Sequence, residues 1–234
     1  CMISEKALYW LSRPIVNTYT GTMLQMDVHK HRELPAGAKI IAANHPSTTD
    51  PFFVAAMVKF QSFILINDLL FQVPILGEYL RRSGHIPVKA GHGQAAIDRA
   101  LEYLRDGHTV MIFPEGDLSP ENGGFLRSRT GVARLALESG APVIPVGIHL
   151  ERQRIHTYRS VVRGRVEYGR WYLSGPYHMT VGAPLRFKGG SQDRELVRSV
   201  ADYVMDQIMR MARESRRRFD QTPRAFNGVF DPLV

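Results

Sequence analysis

Apolar positions change their spacing near residue 38. Before that point Leu8, Tyr9, Trp10, Leu11, Ile15, Tyr19, Met23 and Leu24 recur at three- and four-residue steps around Pro14. This spacing predicts a short pair of amphipathic helices bent at the proline, lying on a membrane interface or on the protein's own core. After it, short apolar runs alternate with helical periodicity, and strands are expected at 39–43, 110–113, 143–148, 165–171 and 178–181. A helix at 94–106 places Ile97, Leu101 and Leu104 on one face and stops at Gly107, and another at 131–139 aligns Val132, Leu135 and Ala136 and stops at Gly140. A long helix follows Gly189 and Gly190, with Ser191 as its N-cap and Leu196, Val197, Val200, Val204, Ile208 and Met211 as its buried stripe. Near-continuous apolar strands alternating with helices predict an α/β fold, with a mixed, mostly parallel sheet covered by helices on both faces.

The expected organisation is an amphipathic segment at 1–30, one domain at 31–220 and an extended tail at 221–234 that contains Pro223 and Pro232. The run 52–58 has seven apolar residues and 63–66 has four, far below the roughly 20 that cross a bilayer. Interrupted by Glu5, Lys6, Arg13 and Pro14, the first 26 residues do not read as a secretory signal. At 234 residues and 44% hydrophobic composition, the chain has enough apolar mass for a full core. Its single cysteine, Cys1, excludes an intrachain disulfide and a cysteine-built metal cluster. The net charge of +8 is unevenly placed: residues 1–117 carry 11 cations against 11 anions, whereas residues 118–234 carry 19 against 11. Of those 19 cations 18 are arginine, whose fork matches phosphate oxygens, so phosphate is the partner chemistry to expect.

Candidate chemistry begins at Ala43-Asn44-His45-Pro46-Ser47-Thr48-Thr49-Asp50-Pro51-Phe52, between a strand and an apolar helix at 52–58. Residues five apart on a helix diverge by roughly 140°. His45 and Asp50 therefore meet only if the segment is a loop, as Pro46 and the Ser-Thr-Thr run indicate. A carboxylate curled back onto the imidazole would fix its tautomer and stabilise the imidazolium. With no protein nucleophile evident, the base would act directly on a substrate hydroxyl. The bland alternative is that Asp50-Pro51 is a helix cap followed by proline at the first helical position. The second element, Phe113-Pro114-Glu115-Gly116, follows a strand and is expected by chance only about 0.003 times. Both pieces lie just past strand carboxyl ends, where open α/β sheets collect ligands. For Glu115 the alternative is a turn carboxylate satisfied locally.

Together these residues resemble the glycerolipid acyltransferase family, which includes bacterial 1-acylglycerol-3-phosphate acyltransferases. Weaker blocks, Gly84-His85-Ile86-Pro87-Val88-Lys89 and Pro142-Val143-Ile144-Pro145-Val146, fall in the family's order, as does the helix segment at 129–137. The resemblance covers residues 38–150. It implies that His45, oriented by Asp50, deprotonates the hydroxyl of a lysophospholipid. The alkoxide would then attack an acyl thioester of coenzyme A or acyl carrier protein. By the same resemblance Glu115 positions the acceptor and Lys89 contacts its phosphate, with Asn44, Phe113, Pro114 and Gly116 in the binding surface. No metal and no permanently bound cofactor is implied, and the protein would sit peripherally on an anionic membrane surface, at the cytoplasmic face of the cell membrane.

One departure matters. Family members that bind lysophosphatidate continue the Phe-Pro-Glu-Gly block with Thr-Arg-Ser, whereas this chain has Asp117-Leu118-Ser119, with Leu118 in place of the arginine. Arg127 and Arg129 are expected to restore the missing charge; otherwise the acceptor has a different head group. Two further expectations concern the membrane: the apolar stretch 52–80 walls an acyl chain or is plain core, and Arg213, Arg216, Arg217 and Arg218 bind anionic head groups or are a solvated helix end. The rival readings are a nucleic-acid binder built on Arg152, Arg154, Arg159, Arg163, Arg165 and Arg170 with interleaved aromatics, and a lipid hydrolase on the same fold. Nucleic-acid binding is not the expected reading, since it gives His45, Asp50 and the Phe113 block no task. The histidine spacing nominates no metal site, although His29 and His31 would pair on one strand face.

Overall fold

A computed structural model describes residues 5–58, 60–162 and 165–222, with side chains from residue 14 onward apart from a few in the hairpin at 155–172. Of the tail expected at 221–234, residues 223–234 lie outside the described residues, as does Arg163, and Gln221 belongs to the last helix. The chain runs α1 (Glu5–Thr22), β1 (Asp27–Lys30), β2 (Lys39–Ala43), α2 (Asp50–Ala56), β3 (Ser62–Asn67), α3 (Leu76–Arg82), β4 (Ile86–Val88), α4 (Gly93–Arg105), β5 (Thr109–Ile112), α5 (Gly131–Ser139), β6 (Val143–Leu150), β7 (Ile155–Val162), β8 (Arg165–Tyr172), β9 (Tyr177–Val181) and α6 (Arg194–Gln221).

Seven strands form one sheet in the order β1-β9-β6-β2-β5-β3-β4, and β7 with β8 form a separate two-stranded sheet. From β6 through β4 all neighbours are parallel, whereas β9 pairs antiparallel with β6 and carries β1 parallel to itself. The architecture is therefore α/β and mostly parallel, as the alternation of apolar runs and helices requires. All five residues of β2 are buried, including Lys39, because both faces are covered. On one face Ile40, Ala42, Val110 and Ile112 pack against α4, α5 and α6 through Ile97, Leu135, Val200 and Val204. On the other face Ile41, Ala43, Met111 and Met179 pack against α2 and its neighbours through Phe53, Val54 and Leu80.

Several expectations are corrected. The N-terminal segment is one helix with Pro14 inside it, where a kinked pair was expected. Its C-terminal half is held by α2, on which Tyr19 stacks against Phe53 with ring centroids 6.0 Å apart, and that support offsets the bond lost at proline. The final helix is capped by Asp193 and not by Ser191, since the Asp193 carboxylate accepts from the Glu195 and Leu196 N–H groups at 3.0 Å each. The stretch 52–80 is core: it contains the strand β3, and Phe53, Val54, Phe63, Ile64, Ile66, Phe71 and Leu80 are buried. Within it Phe60, 58% exposed, and Ile75, 90% exposed at φ +65°, are exceptions. Among the described residues no helix is long and apolar enough to cross a membrane.

Candidate active site

β2 and β5 are neighbours in register, Ala42 opposite Ile112, so the segments leaving their carboxyl ends emerge side by side. Sheet order, not sequence proximity, is what brings His45 and Glu115 together. The loop after β2 turns back as expected. His45 Nδ1 lies 3.1 Å from Asp50 Oδ2, with the imidazole 18% exposed and the carboxyl fully enclosed. Asp50 is the first residue of α2 and its carboxylate does not cap that helix; the N-cap residue is Thr49, which makes no side-chain capping bond. The carboxylate instead accepts from the Ser47 N–H at 2.7 Å and from the Tyr177 hydroxyl at 3.0 Å.

Burial pushes the Asp50 carboxyl above the ordinary carboxylate value, and the hydrogen bond and charge of His45, the Ser47 N–H and the Tyr177 hydroxyl pull it back. Tyr177 is itself held well above the usual phenol value by burial and by the adjacent Asp50, so it stays a donor. The Nδ1 contact leaves Nε2 as the nitrogen that can accept a proton. Phe113 stacks on the imidazole, 4.2 Å between centroids, and so fixes the ring plane.

Glu115 supports this loop from β5. Its Oε1 accepts from the His45 N–H at 3.1 Å and from the Ser119 hydroxyl at 2.6 Å, and its Oε2 accepts from the Leu126 N–H at 2.7 Å. The Ser119 N–H returns a bond to the His45 carbonyl at 2.8 Å. A buried carboxylate therefore ties the strand end of β2 to the loop after β5 through backbone groups that cannot mutate away. Gly116 closes that turn at φ +68°, and a Cβ there would stand 2.2 Å from Arg129 Nε. The turn thus needs glycine for its backbone and for the arginine that crosses it. The Pro114 carbonyl accepts from the Arg129 N–H at 2.7 Å, which fixes that crossing.

Asn44 sits one residue behind, buried, with its amide clamped on the Ile148 backbone at 3.0 and 2.7 Å. Arg129 joins the Phe113 to Gly116 turn. Arg127 and Lys89 are exposed and make no hydrogen bond or ion pair with the His45 group; Lys89 follows β4 at the far edge of the sheet. Sequence reasoning missed Tyr177 and Ser119, and it missed the role of β8. The β8 strand lies along the loop: the Thr48 N–H donates to the Arg170 carbonyl at 2.7 Å, the Arg170 N–H to Thr48 Oγ1 at 3.0 Å, and the Ser47 hydroxyl to the Arg170 carbonyl at 3.0 Å. Only the serine–threonine run itself signalled that this loop has backbone bonds to give.

The fold and site define an α/β protein with a histidine–carboxylate pair at the carboxyl edge of a parallel sheet. A family profile described as "Acyltransferase" matches residues 25–149. The chain belongs to that acyltransferase family. It is 29% identical over 141 residues to a 1-acyl-sn-glycerol-3-phosphate acyltransferase of Pseudomonas aeruginosa, covering 58% of this chain and 52% of that protein. It is also 29% identical over 150 residues to a lyso-ornithine lipid O-acyltransferase of the same organism, covering 63% and 54%. The chain thus spans about half the length of the curated relatives it matches. The crystal structure of the 1-acyl-sn-glycerophosphate acyltransferase PlsC from Thermotoga maritima shares the fold, with a TM-score of 0.65 at 24% identity over 91% of this chain and 82% of that one.

Proposed function

We propose that this chain is an O-acyltransferase that moves a fatty acyl group from a thioester of coenzyme A or acyl carrier protein to the hydroxyl of a lysolipid. The observation that carries this reading is the 3.1 Å contact from His45 Nδ1 to the enclosed Asp50 carboxylate. His45 Nε2 takes the proton of the acceptor hydroxyl as that oxygen attacks the thioester carbon, and Asp50 stabilises the imidazolium that forms. The tetrahedral intermediate collapses, the carbon–sulfur bond breaks, and the imidazolium returns its proton to the departing thiolate. No side-chain nucleophile enters. Hydroxyls around the pair are already committed, Ser119 to Glu115, Ser47 to the Arg170 carbonyl and Tyr177 to Asp50.

For the acceptor, Arg129 across Gly116 is the cation nearest the Phe113 to Gly116 turn, and it stands in for the arginine that Leu118 replaces. This supports a phosphate-bearing lysolipid such as 1-acylglycerol-3-phosphate. Leu118 and Asp117 favour a second reading, a lysolipid with a different head group, and the lyso-ornithine lipid enzyme among the relatives gives that reading a chemical precedent. Labelled acyl-CoA and acyl carrier protein offered with a panel of lysolipids separates the two by product. His45→Ala is expected to lower kcat by at least about 10³-fold with the fold intact. Arg129→Ala should raise KM for phosphate-bearing acceptors and leave kcat largely unchanged. Full turnover in His45→Ala would remove the proposal.

A further inference from the structure

His29 and His31 lie on β1 and just beyond it, the edge strand of the large sheet, at alternate positions that share one face. That face is turned toward α6. Val28, one position before His29, packs on the opposite side with the α2 cluster. From α6 comes Glu214, 183 residues further along the chain, and its two carboxylate oxygens each lie 3.0 Å from His31 Nε2. His29 Nε2 is 3.8 Å from the same carboxylate, and one ligand atom from each of the three residues falls within 4.8 Å of the others. The two rings meet edge to face, 5.6 Å between centroids.

We propose that His29, His31 and Glu214 form a binding site for a divalent transition ion of the zinc type. Bonds near 2.1 Å from a tetrahedral zinc ion place neighbouring donor atoms about 3.4 Å apart. The two His–Glu214 separations, 3.0 and 3.8 Å, bracket that value, and with all three donors inside 4.8 Å side-chain rotation about the exposed histidines closes the set around an ion. Two neutral imidazoles and one carboxylate select zinc and its neighbours over calcium or magnesium, which take oxygen ligands.

The choice of partner by Glu214 is the second indication. Arg210, Arg217 and Arg218 all lie within helical reach of it, yet it pairs with none of them. Arg218 turns inward to Asp27 and the Met179 carbonyl, at 3.0 and 2.9 Å, and Arg210 reaches Gln207. The carboxylate is left for the two histidines. Beside them opens a cleft lined by Arg210, Arg213, Arg216 and Arg217. Those cations lower the affinity for a bare metal ion and draw an anion or water into the fourth position. The site lies three strand positions from β2, roughly 14 Å at the usual strand spacing, so the ion is a staple of an unprotected sheet edge to α6 and takes no part in the His45 chemistry.

Zinc titrated into the full chain by calorimetry should bind with one-to-one stoichiometry. At a hundredfold excess over Kd it should raise Tm by about 5 °C or more. Co2+ in its place should give the visible bands of a four-coordinate ion. His29→Gln, His31→Gln and Glu214→Gln, exposed or half-exposed and close in shape, should each weaken binding by at least about tenfold. The proposal is overturned if the unaltered chain takes up no stoichiometric zinc, or if His31→Gln and Glu214→Gln bind it as tightly as the unaltered chain does.

Discussion

Asp50 carries the sharpest conflict in the molecule. Its carboxylate orients His45 only when ionised, and burial opposes ionisation. Because the folded-state pKa is raised, its contribution to stability is complete below the unfolded value near 3.8 and is lost as pH rises through the folded value. At neutral pH the ionised group is a cost to the fold. Asp50→Asn should therefore match or exceed the unaltered protein in Tm at pH 7 and lose the pH slope that Asp50 imposes, while kcat falls by about 10³–10⁴-fold. Denaturant midpoints across pH 4–8, paired with turnover, check both halves; a large loss of stability at pH 7 would contradict the assignment. The Tyr177 hydroxyl stabilises the ionised form. Removing it by Tyr177→Phe should shift the acid limb of kcat/KM to higher pH and cost about 1–2 kcal/mol of stability, and an unmoved limb would show that the bond does not serve the carboxylate.

At the scale of elements, the packing of α6 against β6 sets how the last third of the chain is held. Gly147 of β6 faces that helix so closely that a Cβ would stand 1.9 Å from the Ala212 nitrogen. The Ser215 hydroxyl reaches the Gly147 carbonyl at 2.8 Å from the same helix. Gly147→Ala should cost about 2 kcal/mol or more, because backbone on both sides must move, and the test is the urea midpoint. The elements were legible to different degrees. β2 and α5 agree with the periodicity to the residue, since the apolar run Ile40 to Ala43 or a stripe ended by glycine is a local signal. β3 and β4 were not read as strands, since Phe63 to Ile66 is too short an apolar run to tell from a buried helix and Pro87 interrupts β4. The cluster at Arg213 to Arg218 was expected to be one outward patch, but α6 turns Arg218 inward, where its guanidinium holds Asp27 and Thr180.

At the scale of the whole molecule the proposed function requires a face that meets a lipid surface. α1 lies against α2, its Tyr19 hydroxyl donating to the Leu173 carbonyl, while Ile15 on it and Met23 just after it are 73% and 49% exposed. These apolar side chains fit insertion at a membrane interface. Leu24 is fully buried, so deleting residues 1–26 would damage the core together with any anchor. Ile15→Asp with Met23→Asp is the cleaner test: partitioning onto anionic vesicles should fall by about tenfold or more while Tm stays within about 2 °C. Unchanged partitioning would show that α1 serves the fold alone.

The order of the chain specified the pieces of the candidate site. His45 and Asp50 on a serine- and threonine-rich loop, Phe113 to Gly116 after a strand, and the apolar runs between them act through turn chemistry and periodicity within a few residues. Tertiary structure decided the rest. Tyr177 reaches Asp50 across 127 residues because β9 runs antiparallel to β6 and so begins at the edge where the parallel strands end. Glu115 meets His45 because β5 was laid beside β2, and Glu214 meets His31 because α6 crosses the face that β1 presents. No local pattern encodes such pairings, since strand order is settled by burial summed over the whole sheet.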